Sequence, residues 1–236
     1  MPTLPLLRQV VLLTGDLPGT LARTKSALGL RDGVRDESGM AALGFEHEVL
    51  AIDQTFVEIV APLSEDSSPG RLLRRGGECG YMVAIQVEDA DAVVARAATI
   101  GLKPVMRTVY EGNPLTQWHP RDLGTLAEID EMRSGADWHF CPELSDTGST
   151  SVVTDIVAVE LAVPDPAGYA QRWATLLGLD IPDGSTALDL GGRALRFVPA
   201  TEGRDGLVTV ELAATTGTAQ HTLCGVRFAV VPAVQA

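Results

Sequence analysis

The sequence repeats one pattern three times, and this repeat limits the chain to folds that are built from similar modules. In each copy an acidic residue follows an apolar strand and opens a helix, and a Gly-Leu pair ends that helix. The acid and the leucine are 14 residues apart in the pairs Asp16 and Leu30, Glu88 and Leu102, and Asp165 and Leu179. A later apolar strand then carries one glutamate, 42, 40 or 46 residues after the acid, at Glu58, Glu128 and Glu211.

Hydrophobic patterning predicts a β-α-β-β-β order for each copy. In the first copy the helix covers residues 16–29, and the strands are 7–13, 40–45, 47–53 and 55–62. In the second copy the helix covers 88–101, and the strands are 81–87, 103–110, 115–118 and 125–130. In the third copy the helix covers 165–178, and the strands are 152–163, 187–190, 194–198 and 207–213. One or two strands around 224–231 remain as the stub of a fourth copy.

Composition restricts the partners of this chain. The 236 residues are 45% hydrophobic and carry a net charge of −13, which fits a globular protein but gives no basic footprint for nucleic acid or an anionic membrane. No apolar run reaches the length of a membrane span, and the N-terminus lacks the pattern of a signal peptide. The cysteines Cys79, Cys141 and Cys224 are few and far apart, so we expect reduced thiols and a cytoplasmic location.

Five segments resemble the vicinal oxygen chelate (VOC) superfamily, which contains glyoxalases, bleomycin resistance proteins and extradiol dioxygenases. They are LRQVVLLTGDLPGTLARTKSALGL, FVEIV, GYMVAIQVEDADAVVARAATIGL, HPRDLGTLAEID and VAVELAVPDPAGYAQRWATLLGL. The resemblance implies an α+β fold of repeated βαβββ modules, in which two modules form an open eight-stranded cup around a ligand. We therefore expect a glyoxalase-like VOC domain at 1–132 (modules 1–62 and 80–132), a linker at 133–151, and a third module with an incomplete fourth at 152–236.

The resemblance also implies a set of metal ligands. Each module of such proteins offers one position in its first strand and the glutamate of its late strand. The first-strand positions here are Gln9, Met82 and Ala158. Because a thioether is a poor ligand for hard divalent ions, Met82 departs from the pattern. We therefore expect Gln9, Glu58 and Glu128 to hold a divalent metal (Mg, Mn, Fe(II), Ni or Zn), and no metal in the second half of the chain.

Proton transfer has its candidates among the same residues. A strand glutamate of the site, Glu128 or Glu58, is the candidate for moving a proton, and His119 stands just before a turn, where it is a candidate base or replacement ligand. Four further residues are candidates for binding a substrate in the cup, and these are Tyr81, Met82, Trp118 and Tyr110. The competing interpretations are that the strand glutamates face solvent or pair with arginines, that the aromatic residues fill the core, and that His119 is an ordinary turn residue.

The sequence leaves two functions open. One is a metal-dependent lyase, isomerase or dioxygenase that acts on a small oxygen-rich substrate. The alternative is a metal-free protein of the same fold that binds a small molecule or sequesters an antibiotic. Because an unpaired third module exposes a sheet edge, we also expect a homodimer or packing of this module on the first cup.

Overall fold

A computed structural model describes residues 3–133, 138–139, 152–201, 203, 205–215 and 217–233. The fold is α+β with repeated modules, as predicted. The first module contains β1 (Leu6–Leu13), α1 (Leu17–Leu28), α2 (Glu37–Ala42), β2 (Phe45–Ile52) and β3 (Thr55–Pro62). After α3 (Ser68–Gly76), the second module contains β4 (Cys79–Val87), α4 (Ala90–Thr99), β5 (Met106–Tyr110), β6 (Asn113–Trp118), α5 (Pro120–Leu123) and β7 (Leu126–Glu131). The remaining elements are β8 (Val153–Val163), α6 (Pro166–Leu177), β9 (Ala187–Asp189), β10 (Ala194–Pro199), β11 (Gly206–Ala214), β12 (Ala219–Leu223) and β13 (Val226–Pro232).

Helix caps explain the repeated spacing. The Asp16 side chain accepts a hydrogen bond from the Gly19 N–H at the start of α1, and Gly29 ends the helix with a φ of 66°. Asp165 caps α6 in the same way. In the second module the sequence predicted a cap at Glu88-Asp89, and of these two residues Asp89 is the N-cap, because its side chain accepts from the backbone of the first turn of α4.

The predicted strand at 40–45 is wrong, because residues 40–42 belong to α2 and residues 43–44 form the turn that leads into β2. Asp36 caps the helix through a hydrogen bond from the Gly39 N–H at 2.9 Å, and the following Met-Ala-Ala favours a helix over an extended chain. A single bridge between Val34 and Val49 stands where a fourth strand was expected. The first two modules therefore contribute seven strands instead of the predicted eight.

Strand pairing corrects the boundary of the third module. In every module the last strand lies parallel to the first, in the pairs β1–β3, β4–β7 and β8–β10. Strand β11 has its own parallel partner, β13, so it begins a fourth module without a helix. Glu211 on β11 is therefore not the counterpart of Glu58. In the third module the residue at the late-strand position is Arg196 on β10. It pairs with Glu160 on β8, as Glu58 on β3 pairs with Val11 on β1.

The chain divides into two compact units, and each unit combines modules from both halves of the sequence. The Glu58 unit comprises 9–81, 140–156 and 209–236, and the Glu128 unit comprises 1–8, 82–139 and 157–208. Within the Glu58 unit the first-module strands have the order β2-β3-β1, and within the Glu128 unit the second-module strands have the order β4-β7-β6-β5. The predicted domain boundaries at 132 and 152 remain predictions.

Candidate functional site

The second-module strands of the Glu128 unit have one apolar and one polar face. Ala127 and Ile129 of β7 are buried on the side that packs against α4. Glu128 and Asp130 point to the other side, because successive side chains of a strand alternate. Directly paired residues share a face, which places Gln117 beside Glu128. We call this side the Glu128 face, and its polar members are Gln86, Thr108, Tyr110, Asn113, Gln117, Glu128 and Asp130.

A neighbouring amide helps to position Glu128 on this face. The Gln117 Nε2 donates to Glu128 Oε2 at 2.7 Å. The Glu128 side chain is partly exposed to solvent. The arrangement gives a carboxylate that is held in place and remains within reach of a small molecule.

Asp130 has a different environment, although it lies two residues away on the same face. Its side chain is fully buried, and burial raises the pKa of the carboxyl well above its ordinary value. Oδ2 lies 3.2 Å from His139 Nε2, whereas Oδ1 has no hydrogen-bond partner among the described residues. The directly paired Gln86 also has a buried Oε1 without a partner there. Burial therefore favours the protonated form of Asp130, which lies two residues from the partly exposed Glu128.

Aromatic rings cover the Asp130 end of the Glu128 face. Trp138 is fully buried and makes an edge contact with His139 at 5.0 Å between ring centres. Tyr110 makes a similar contact with His139 at 5.4 Å. The Arg8 guanidinium lies 5.4 Å from the centre of the Trp138 ring. Strand alternation already placed Asp130 beside Glu128, but no sequence pattern indicated that His139 would reach it.

The Glu58 unit contains a second glutamate in the same register, because Val11 pairs with Glu58 as Ala84 pairs with Glu128. Gln9 Nε2 donates to Glu58 Oε2 at 2.7 Å, and His47 Nδ1 lies 2.7 Å from Glu58 Oε1. Only 6% of Glu58, 6% of Gln9 and 2% of His47 is exposed. His47 was missed by sequence reasoning, because it lies on β2, which the resemblance did not associate with a ligand.

The predicted metal ligands are divided between the two units. Gln9 and Glu58 belong to one unit, and Glu128 and Met82 belong to the other. The described residues contain no group of three or more His, Cys, Asp or Glu side chains that could hold a metal ion. Around Glu58 both carboxylate oxygens face nitrogen atoms of neighbouring side chains, so this donor set does not fit a bound cation.

The remaining predicted site residues have clear positions. Trp118 is fully buried, pairs with Ala127 on the apolar side, and donates from Nε1 to Thr116 Oγ1 at 3.0 Å. It is therefore a core residue and does not lie on the Glu128 face. His119 is exposed and caps α5, where its Nδ1 accepts from the Arg121 N–H at 3.0 Å.

Tyr81 belongs to the Glu58 unit, where its ring lies 6.1 Å from the Phe45 ring. Burial raises the pKa of Tyr81. Met82 pairs with Leu126 and is nearly buried at the edge of the Glu128 face. Of the four predicted substrate-binding residues, Tyr110 and Met82 therefore lie on the same strand face as Glu128.

Parallel first and last strands, capped helices and a late-strand glutamate in the first two modules match the VOC type that the resemblance implies. The chain belongs to the glyoxalase-like domain family, whose model matches residues 10–177. A methylmalonyl-CoA epimerase in complex with methylmalonyl-CoA is 21% identical and has a TM-score of 0.50, over 56% of this chain and 97% of its own. A hypothetical protein from Staphylococcus aureus is only 11% identical but has a TM-score of 0.69, over 98% of this chain and 100% of its own. These likenesses establish the fold.

No curated protein matches the chain. Among the described residues, every helix is too short or too polar to pass through a lipid bilayer.

Proposed function

We propose that the protein is a VOC-type enzyme that moves a proton on a small oxygen-rich substrate, and that Glu128 is the carboxylate that moves it. The observation that carries this proposal is the contrast between the two strand glutamates. Glu58 is almost inaccessible and is hydrogen-bonded at both oxygens, whereas Glu128 is partly exposed on a polar face. A catalytic base must reach the proton that it removes.

The substrate class follows from the residues around Glu128. A compound with an acidic C–H next to a carbonyl would place its C–H against Glu128. Its oxygens would meet the amide group of Gln117, which supplies a hydrogen-bond donor beside Glu128. Tyr110 and Met82 would contact its less polar part. The products of such a reaction are those of an isomerase or a lyase.

No step of this proposal passes through a metal ion, because the donor set around Glu58 does not fit one. A divalent ion on Gln9, Glu58 and Glu128 would supply Lewis-acid stabilisation of an enolate. It remains the competing sequence prediction, and it is tested by metal analysis below. A dioxygenase reaction would depend on such an ion, so it is not part of this proposal.

Solvent exchange tests the proposal. The protein is incubated in D₂O with acyl-CoA esters such as methylmalonyl-CoA, with dicarbonyls and with thiohemiacetals, and deuterium uptake at the acidic carbon is followed by NMR. We expect Glu128→Gln to lower the exchange rate by about 10²–10⁴-fold. Glu46→Gln is the matched control, because Glu46 is also a strand glutamate but its side chain is exposed on β2. Unchanged exchange in Glu128→Gln would refute the role of Glu128.

A metal-free binding protein is the second candidate, and the hydrogen-bonded state of Glu58 together with Met82 at a ligand position favours it. This function predicts tight binding of a compound without exchange or turnover, and the same affinity before and after treatment with a chelator. Loss of binding after chelation would contradict it.

The expected homodimer is tested separately by sedimentation at micromolar protein concentration.

A further inference from the structure

We infer that His47 occupies the place of a metal ion beside Glu58 and acts as a positioning residue, whose Nδ1–H holds the carboxylate by a hydrogen bond. In the first module of this chain, hydrogen bonds from N–H groups therefore hold the strand glutamate, whereas the resemblance implies a divalent cation at this position. The inference concerns the Glu58 unit, and it stands whether or not Glu128 transfers a proton.

The tautomer of His47 is set by the backbone. The Asp36 N–H donates to His47 Nε2 at 2.7 Å. A backbone N–H is always a donor, so Nε2 must present its lone pair. In the neutral ring the proton then lies on Nδ1, which is 2.7 Å from Glu58 Oε1 and donates to it.

The position of that backbone N–H is itself fixed by α2. Asp36 is the N-cap of this helix, and its side chain accepts from the Gly39 N–H at 2.9 Å. The helix therefore holds the Asp36 N–H toward β2, where His47 lies. The element that replaces the expected fourth strand thus also determines which ring nitrogen of His47 carries the proton.

A metal-binding histidine has the opposite pattern. When one ring nitrogen binds a metal, the other is an N–H that donates to a carbonyl, a carboxylate or water. For Nδ1 of His47 to bind a cation, its proton would have to move to Nε2 and face the Asp36 N–H. Two donors would then oppose each other in a buried site, which costs the hydrogen bonds of both.

Gln9 reinforces this arrangement from the other side of Glu58. At 2.7 Å from Glu58 Oε2, the Gln9 side chain must present its NH₂ group, because two oxygens at this distance would repel each other. A metal site would instead direct the Gln9 carbonyl and the Glu58 oxygens to a common point. Both carboxylate oxygens thus already accept hydrogen bonds from nitrogen donors.

Burial leaves little space for the water that a hard cation retains. Glu58, Gln9 and His47 are each at most 6% exposed. Mg²⁺ and similar ions bind proteins with several waters still attached, so two or three protein ligands suffice only where water can enter. The three side chains instead form a compact network in which each contact joins a nitrogen atom to a carboxylate oxygen.

Histidine ¹⁵N NMR tests the inference on the intact protein. Long-range ¹H–¹⁵N correlation spectra distinguish a ring that is protonated at Nδ1 from one that is protonated at Nε2. The chain has four histidines, and the signals of His47 are assigned by comparison with His119→Gln, His139→Gln and His221→Gln. The assignment therefore does not require a His47 variant to fold. We expect the Nδ1–H form of His47, unchanged after addition of Zn²⁺.

Elemental analysis of protein purified without chelator supplies the second measurement. We expect the parent and Glu58→Gln to contain the same amount of Mg, Mn, Fe, Ni and Zn, before and after incubation with these ions. An ion that is present in the parent and lost in Glu58→Gln would overturn the inference, and so would an Nε2–H tautomer of His47. The deuterium exchange of Glu128→Gln measures the role of Glu128 whether or not Glu58 holds an ion, so this inference and that role are tested by different measurements and can fail separately.

Discussion

Replacing Asp130 by asparagine should stabilise the protein at neutral pH. The Asp130 side chain is fully buried, its Oδ1 has no partner among the described residues, and burial raises its pKa well above the ordinary value. Asparagine has the same shape but cannot ionise. Its carbonyl can accept from His139 in place of Oδ2, and its NH₂ group can donate to the buried Oε1 of the paired Gln86.

The gain can be estimated from the hydrogen bond alone. One net intramolecular hydrogen bond contributes about 0.5–1.5 kcal/mol. For a protein of this size, 1 kcal/mol corresponds to roughly 2–4 °C in Tm. We therefore expect Asp130→Asn to raise Tm by about 1–6 °C at pH 7. Asp180→Asn is the control, because Asp180 is exposed and its substitution should change the free energy of unfolding by less than about 0.5 kcal/mol.

The difference should also depend on pH. The pKa of Asp130 is higher in the folded protein than the value of about 3.9 in an unfolded chain, so the folded state holds the proton more strongly. The stability that this proton contributes is complete below about pH 4 and is lost as pH rises through the folded pKa. The advantage of Asp130→Asn should therefore grow with pH from about 4 upward. Urea titrations between pH 4 and 8 measure it.

A loss of about 2 kcal/mol or more in Asp130→Asn at pH 7 would refute this reasoning. It would mean that Asp130 is ionised in the folded protein and that its contact with His139 depends on the charge.

Three further substitutions test particular positions. Gly124→Ala should destabilise the protein more than Gly112→Ala. Both glycines have φ near +85°, but only the new Cβ at Gly124 would lie 2.5 Å from a Val163 atom. Equal shifts of the two urea midpoints would instead show that backbone strain alone decides the loss. Trp118→Ala should cost about 3–5 kcal/mol of stability, and unchanged stability with weaker substrate binding would indicate a ligand contact instead. His119→Asn should keep full activity because asparagine also caps helices, and a large loss of kcat would establish the predicted catalytic role.

The modular fold was largely predictable from local patterns. Helix caps such as Asp16 and Asp165 and alternating strands such as β7 are decided by neighbouring residues, so the sequence indicates them directly. The segment 40–45 was mispredicted, because a short apolar run suits either a strand or a helix and the cap at Asp36 decides between them. Glu211 was misplaced because spacing along the chain does not reveal which strand a residue pairs with.

The candidate site was only partly predictable. The sequence identified Glu58 and Glu128, since a carboxylate in an apolar strand stands out, and alternation placed Asp130 beside Glu128. It did not indicate the partners of these groups. His47 lies 11 residues from Glu58, and His139 lies 9 residues from Asp130. Both contacts depend on how the chain folds in three dimensions, which residue spacing does not reveal.

The sequence by itself therefore determined the repeat, the class of fold and the strand glutamates, because each depends on residue spacing and on the local preferences of the backbone. The tertiary structure alone decided the burial and the hydrogen-bond partners of those glutamates. Whether a carboxylate is buried or exposed, and whether it meets an N–H, an imidazole or water, depends on groups from other strands and helices. The hydrogen bond from Asp36 to His47, which sets a tautomer through the position of a helix end, is the clearest instance in this protein.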